Sequence, residues 1–214
     1  MPGGFSDVEY VVRTIAQTAV DNETEFSNLD SVVGDGDFGY SLARGFELVL
    51  EKWDDYDRSD IGTFLQKIGV GITGRIGGTS GPIWGTAFLR AAAYCKGRTE
   101  LAGADVVAVL KAAMEGIKAR GGAELGDKTL LDAMAPMTEA IEAQVAQDAE
   151  ADEVVRAAAE AARAGAEATV PMIARRGRAA YSGERSIGSP DAGATAVAVI
   201  LERIARDWPV APGA

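Results

Sequence analysis

At 214 residues, with 47% hydrophobic and 25% charged side chains, the chain is long enough for a full core and too apolar for disorder. A formal net charge of −11 excludes a broad phosphate-backbone interface, since nucleic-acid binders carry basic stripes, so a nucleotide site here needs local positive charge. The single cysteine, Cys95, excludes a disulfide framework or a thiolate metal cluster within the chain, and the total absence of histidine leaves any chemistry to carboxylates, metal and arginine.

The start, Met1-Pro2-Gly3-Gly4, leads into an acidic amphipathic segment rather than a basic stretch followed by an apolar one. The apolar region near residues 81–95 is broken by Pro82 and Arg90, short of the roughly 20 apolar residues of a membrane span. Together with one reduced cysteine this reads as a cytoplasmic, soluble protein with neither membrane nor nucleic acid among its partners.

Ser6-Asp7-Val8-Glu9 has the spacing of a capping box with Ser6 at the cap, and opens a helix with Val8, Val11, Val12, Ile15 and Val20 on its apolar face. That helix is predicted to stop near Asp21-Asn22, and residues 23–29 to lead as a connection into an acidic glycine loop. Tyr40 to Trp53 reads as helix, with Leu42, Phe46, Val49 and Leu50 inward; Asp54 to Asp60 is a polar turn. A helix from Ile61 follows, with Phe64, Leu65, Ile68 and Ile72 on one side, and then a loop from Arg75 to Pro82 that opens a helix carrying Trp84, Phe88 and Leu89. Residues 104–120 and 128–146 are two further helices, Asp152 to about Ala174 an alanine-rich one, and Ala194 to Asp207 the last.

Long 3.6-period segments joined by short loops, with no run of period-2 alternation, predict an all-α fold, an antiparallel up-and-down helical bundle in one domain over residues 1–214. Glycine loops near 34–39, 77–81, 121–126 and 183–193 recur about every two helices, so they emerge at the same end and form one polar rim.

The rim's first loop, Leu29-Asp30-Ser31-Val32-Val33-Gly34-Asp35-Gly36-Asp37-Phe38-Gly39, places three carboxylates among glycines. Asp30, Asp35 and Asp37 suit a hard cation such as Mg²⁺, which takes oxygen ligands and is commonly shared with nucleotide phosphates; a turn of solvated acids is the alternative. Gly39 and Ser41 fall at a helix start, where free N–H groups and the dipole favour phosphate. The runs from Gly34 and from Gly69 both satisfy G-x-G-x-x-G, but neither has the strand and βαβ context of a dinucleotide fingerprint. Gly121 to Thr129 misses a P-loop by the intrusion of Asp127, and an EF-hand beginning at Asp35 would need Gly and Glu where Tyr40 and Phe46 stand. Arg175, Arg176, Arg178 and Arg185 make a positive island in an acidic chain, either a solvated helix end or the counter-charge of an anion site.

These loops resemble those of the ADP-binding subunit, subunit L, of dihydroxyacetone kinase, over nearly the whole chain. Leu29-Asp30 with Gly34-Asp35-Gly36-Asp37 matches that family's metal loop, and Gly77-Gly78-Thr79-Ser80-Gly81-Pro82 with Gly85-Thr86 its phosphate loop. Gly126-Asp127-Lys128-Thr129 with Asp132-Ala133 and Pro136 matches its third motif, and Gly177-Arg178-Ala179 through Gly183-Glu184-Arg185-Ser186 to Asp191 and Gly193-Ala194 its fourth. The resemblance implies a barrel of antiparallel helices in which Asp30, Asp35 and Asp37 hold two Mg²⁺ ions bridging the phosphates of ADP or ATP. It implies that Phe38, Gly39, Tyr40, Ser41, Gly78, Thr79 and Ser80 line the phosphates, and that Gly121, Leu130, Asp191 and Gly193 surround the adenosine. Arg178 would offset charge on the transferred group as the catalytic residue.

The family transfers phosphoryl to a short ketose held covalently by a histidine of a separate K subunit, which a chain without histidine must take from a partner. Its donor is ATP, or ADP recharged by a phosphotransferase-system protein. Phe38, Ser189 and Ala192 depart from the family pattern, which has histidine at the first two and proline at the third, so the ketose is open, a tetrulose included. A nucleotide-loaded regulatory or lipid-binding module is the competing expectation, against which the intact aspartates and Arg178 weigh.

Overall fold

The computed structural model describes residues 3–209. Among them are nine α-helices: α1 Phe5–Asp21, α2 Glu23–Ser31, α3 Phe38–Glu51, α4 Ile61–Arg75, α5 Ser80–Tyr94, α6 Gly103–Gly121, α7 Leu131–Val145, α8 Ala151–Ala168 and α9 Ala192–Arg206. Short 3₁₀ segments occupy Trp53–Asp55 and Arg178–Ser186, and β1 (Gly3–Gly4) pairs antiparallel with β2 (Glu100–Leu101).

Helix α1 packs on α3, each helix from α3 to α8 packs on its successor, and α9 returns to α1. Eight helices thus close a ring, with α2 set against α3 and α9. The all-α bundle expected from periodicity is present, and the inward positions read for α4 (Phe64, Leu65, Ile68, Ile72) are buried. Phe26, Leu42, Phe46, Ile61, Ile117 and Leu131 complete the densest part of one continuous core, each side chain worth about 1.5–3 kcal/mol of burial. Ring closure is secured by the Tyr10 hydroxyl donating to Ile204 O at 3.1 Å and by Arg203 pairing with Asp21 at 2.6 Å.

The structure departs from the sequence reading at several points; helix α7, expected from residue 128, begins at Leu131, after Lys128 at φ +62°. The first helix starts at Phe5, and its box is Gly4 with Asp7, whose carboxylate accepts from the Gly4 N–H at 2.9 Å, because pairing with Glu100 holds Gly4 extended. Residues 23–31 are helix α2 rather than a connection: the segment has one buried side chain, Phe26, and too little periodicity of its own to announce a helix. Helix α3 begins at Phe38 rather than Tyr40. Helix α8 ends at Ala168 rather than near Ala174, where Thr169 turns its hydroxyl back to Ala166 O and Pro171 bars continuation.

The connections α2–α3, α4–α5, α6–α7 and α8–α9 meet at one end. Ser182 Oγ of the last donates to Val33 O of the first at 2.7 Å, and Arg175 N donates to Asp127 O of the third at 3.0 Å. A Cβ on Gly121, which ends α6, would stand 3.0 Å from Ile83 in the first turn of α5. At the opposite end Ile61 N donates to Arg98 O at 2.8 Å and Arg58 pairs with Glu9 at 2.5 Å.

Candidate metal and nucleotide site

Asp30 occupies the last turn of α2, so a helix rather than a loop presents its carboxylate. Its main-chain carbonyl accepts from Gly34 N at 2.6 Å, and its side chain accepts from Gly36 N at 2.9 Å, folding residues 32–37 back over it. Gly36 has φ +76°, a left-handed turn that a side chain would strain. The turn brings one carboxylate oxygen each of Asp30, Asp35 and Asp37 within 4.8 Å of one another. Burial raises the Asp30 pKa, with Asp35's charge adding to it; burial and then Asp35's charge raise that of Asp37. Three converging carboxylates, two of them exposed, fit a hard divalent cation by donor type and spacing.

Asp37 caps α3 through its backbone while its carboxylate makes no capping bond, so the side chain stays with the acidic cluster. Close approach fixes the two helices: a Cβ on Gly39 would fall 2.0 Å from Glu23 O and 2.6 Å from Ser27 N. The N–H groups expected to be free at the α3 start are partly committed, since Tyr40 N donates to Ser27 Oγ at 3.1 Å and Ser41 N to Asp37 O at 2.8 Å. Phe38 packs its ring toward Phe26 at 6.2 Å between centroids, whereas Tyr40 is exposed with the Arg44 guanidinium over its ring. The first turn of α3 therefore offers less to a phosphate than the sequence reading supposes. The start of α5 offers more: Gly78 and Thr79 are exposed, a Cβ on Gly77 or Gly78 would meet nothing within 4 Å, and Ser80 begins a helix of 15 residues.

Leu130, Asp191 and Gly193 are brought together, a Cβ on Gly193 lying 3.3 Å from Leu130 Cβ and 3.1 Å from Asp191 Oδ1. Asp191 accepts from Ala194 N at 2.7 Å as the cap of α9, and burial pushes its pKa up to about 7. Gly121 lies against the α5 start. Ser189 Oγ is buried without a partner among the described residues.

The arginine island divides. Arg178 Nε stands 3.1 Å from Asp35 Oδ2, tying the α8–α9 loop to the acidic cluster, while Arg176 Nε pairs with Asp127 Oδ2 at 3.0 Å. Sequence reasoning quoted Asp127 and Lys128 as motif residues without seeing what they do. Asp127 takes Arg176 and the Arg175 N–H, and Lys128, 2% exposed, donates its ammonium to three carbonyls of the α8–α9 loop. A buried lysine in an acidic chain leaves no local signal, because its acceptors are main-chain groups far along the sequence.

Residues 32–206 match the family model of the DAK2 domain. The chain is 38% identical over 184 residues to the ADP-binding subunit of the PEP-dependent dihydroxyacetone kinase of Escherichia coli, covering 86% of this chain and 88% of that one. It is 38% identical to D-erythrulose kinase of Mycolicibacterium smegmatis over 89% of this chain but 33% of that one. The structure is similar to that of the dihydroxyacetone kinase from C. freundii in complex with AMP-PNP and Mg²⁺, with a TM-score of 0.75, 29% identity and 96% of this chain covered. The chain spans about a third of that kinase, 34% of its length. By the match over most of its length and the agreement in fold, the chain belongs to the DAK2 domain family, in its dihydroxyacetone kinase subunit L form.

Proposed function

We propose that this chain is the nucleotide-bearing subunit of a kinase for dihydroxyacetone or a related short ketose, working on substrate held by a separate K subunit. The observation that carries the reading is the cluster of Asp30, Asp35 and Asp37 with Arg178 at 3.1 Å from Asp35. Those aspartates would hold Mg²⁺, two ions in this reading, which when bound supplies charge neutralisation and a template for the phosphates of ADP or ATP. Ser80 and the exposed Gly78-Thr79 turn would receive phosphate at the α5 N-terminus, with Phe38 to Ser41 as the facing wall. Gly121, Leu130, Asp191 and Gly193 would border the adenosine. Arg178, exposed and within reach of the cluster, would leave Asp35 to meet charge on the transferred group, stabilising it most when that charge is greatest.

The rim itself supports a partner. Val32, Tyr40, Leu125, Ile173, Tyr181 and Ile187 are the exposed large apolar side chains of its loops and helix starts, with only Val70 elsewhere among the described residues. Docking a K subunit there would cover them, exclude water from the transfer and bring in the histidine that this chain lacks. The reading treats residues 1–214 as one nucleotide-binding domain, supported by its one continuous core, and places it in the cytoplasm, where Cys95 stays reduced. The phosphoryl donor is ATP, or bound ADP recharged by a phosphotransferase-system protein; the E. coli relative is named as PEP-dependent.

Transfer to dihydroxyacetone and to erythrulose should be assayed with the chain alone, with a K subunit, and with K subunit and phosphotransferase-system donor, for the natural chain and Phe38→His. No turnover by the chain alone, and turnover once the K subunit is added, is the expected result. Turnover by the chain alone, or none in any mixture, would refute it.

A further inference from the structure

The α8–α9 connection, residues 169–191, is long for a loop and has little apolar filling: Ala174 is its one deeply buried apolar residue. Polar groups fix it instead. Lys128 Nζ donates to Met172 O at 3.2 Å, Ser186 O at 2.5 Å and Ser189 O at 2.7 Å, using all three N–H bonds of the ammonium to join the beginning of the loop to its last third. Ser186 Oγ adds a second tie, accepting from Ala174 N at 2.9 Å and donating to Gly183 O at 2.6 Å.

Lys128 reaches this position at φ +62°, the left-handed region, which strains a residue with a side chain by about 1–3 kcal/mol where it persists. The strain directs a long side chain out of the α6–α7 loop and into its neighbour. Burial lowers the lysine pKa, and the nearby Asp191 charge works against that, so the ammonium is held by its acceptors rather than by water. Arg178 lies between the carbonyls pinned at 172 and 186, and spans the gap to Asp35.

We propose that Lys128 is a positioning residue for phosphoryl transfer: by gathering the carbonyls of Met172, Ser186 and Ser189 at one point, its ammonium fixes the loop that holds Arg178 within reach of the aspartate cluster. It touches neither nucleotide nor substrate, and acts through the loop. The inference rests on the role given to Arg178 in the proposed function.

Lys128→Met keeps the apolar stem and removes all three donors; Lys128→Gln, which keeps two, serves if the first variant does not fold. Hydrogen exchange of the chain alone should show faster exchange across residues 172–189 with the amides of α3, α4 and α5 unchanged. In the mixture with K subunit, turnover should fall ~10²-fold, the scale of a ~1 Å misplacement, while MgADP affinity changes less than ~3-fold. In an Arg178→Ala background the same substitution should add little, since both remove one effect. Losses that multiply in the double variant, unchanged turnover, equal loss of ADP affinity, or failure of both Lys128 variants to fold would overturn the proposal and make the lysine purely structural. Unchanged turnover in Arg178→Ala alone would remove the role assigned to Arg178, and the inference with it.

Discussion

Replacing Asp37 by Asn should stabilise the protein without metal and weaken its response to MgADP. Oxygens of Asp35 and Asp37, and of Asp30 and Asp37, lie within 4.8 Å, where two unit charges repel by ~0.9 kcal/mol at a dielectric of ~80 and ~3.5 at ~20. Asp35 and Asp37 are exposed, which favours the watery value, so the two pairs together amount to ~2 kcal/mol. Attraction to Arg178, an exposed partner, offsets ~0–1 kcal/mol. The Asp37 carboxylate makes no capping bond to lose, so the net gain for the apo protein is ~1 kcal/mol, or ~2–4 °C in Tm for a chain of this size. With MgADP at ~100 times its Kd the natural protein gains ~2.7 kcal/mol, and a variant binding tenfold more weakly gains only ~1.4. Thermal unfolding by circular dichroism, in chelator and in MgADP, reads both effects, and the order of melting temperatures should reverse between the two conditions. A lower Tm for the variant in chelator would refute the repulsion argument, and an undiminished MgADP response would refute Asp37 as a metal ligand.

Arg178→Ala should reduce turnover with the K subunit on the order of 10²-fold or more and MgADP affinity far less; equal losses in steady-state kinetics and calorimetry would make it a ground-state phosphate anchor. Gly39→Ala places a methyl 2.0 Å from Glu23 O, so α2 must shift, at ~1–3 kcal/mol or more in urea unfolding, and metal-dependent nucleotide binding should weaken because α2 carries Asp30. Gly77→Ala, whose methyl meets nothing within 4 Å, is the control for stability and should be near neutral in urea unfolding. Asp191 has a folded pKa raised to about 7, so its contribution to stability is fully present below the unfolded value and is lost as pH rises through 7. Between pH 6 and 8 the natural protein should therefore lose on the order of 1 kcal/mol relative to Asp191→Asn, and parallel stability profiles for the two would contradict the burial argument.

What the sequence determines by itself is what depends on near neighbours. The 3.6-residue apolar spacing of Phe64, Leu65, Ile68 and Ile72 specifies a helix and its buried face, and the two-helix recurrence of glycine loops specifies a rim, because both are properties of consecutive residues. Asp30, Asp35 and Asp37 are legible as a cluster for the same reason: glycines between them let one turn converge their oxygens. Helix α2 is not legible, since its nine residues bury only Phe26 and are held by packing on α3, with Glu23 pairing to Arg44 at 2.9 Å. Nor is the division of the arginines, which share one stretch of chain yet reach different loops, Arg178 to Asp35 and Arg176 to Asp127. Lys128 is the extreme case. Its three acceptors are backbone carbonyls, which every residue has, so nothing in their identity marks them, and only closure of the helical ring brings residues 172, 186 and 189 to its ammonium.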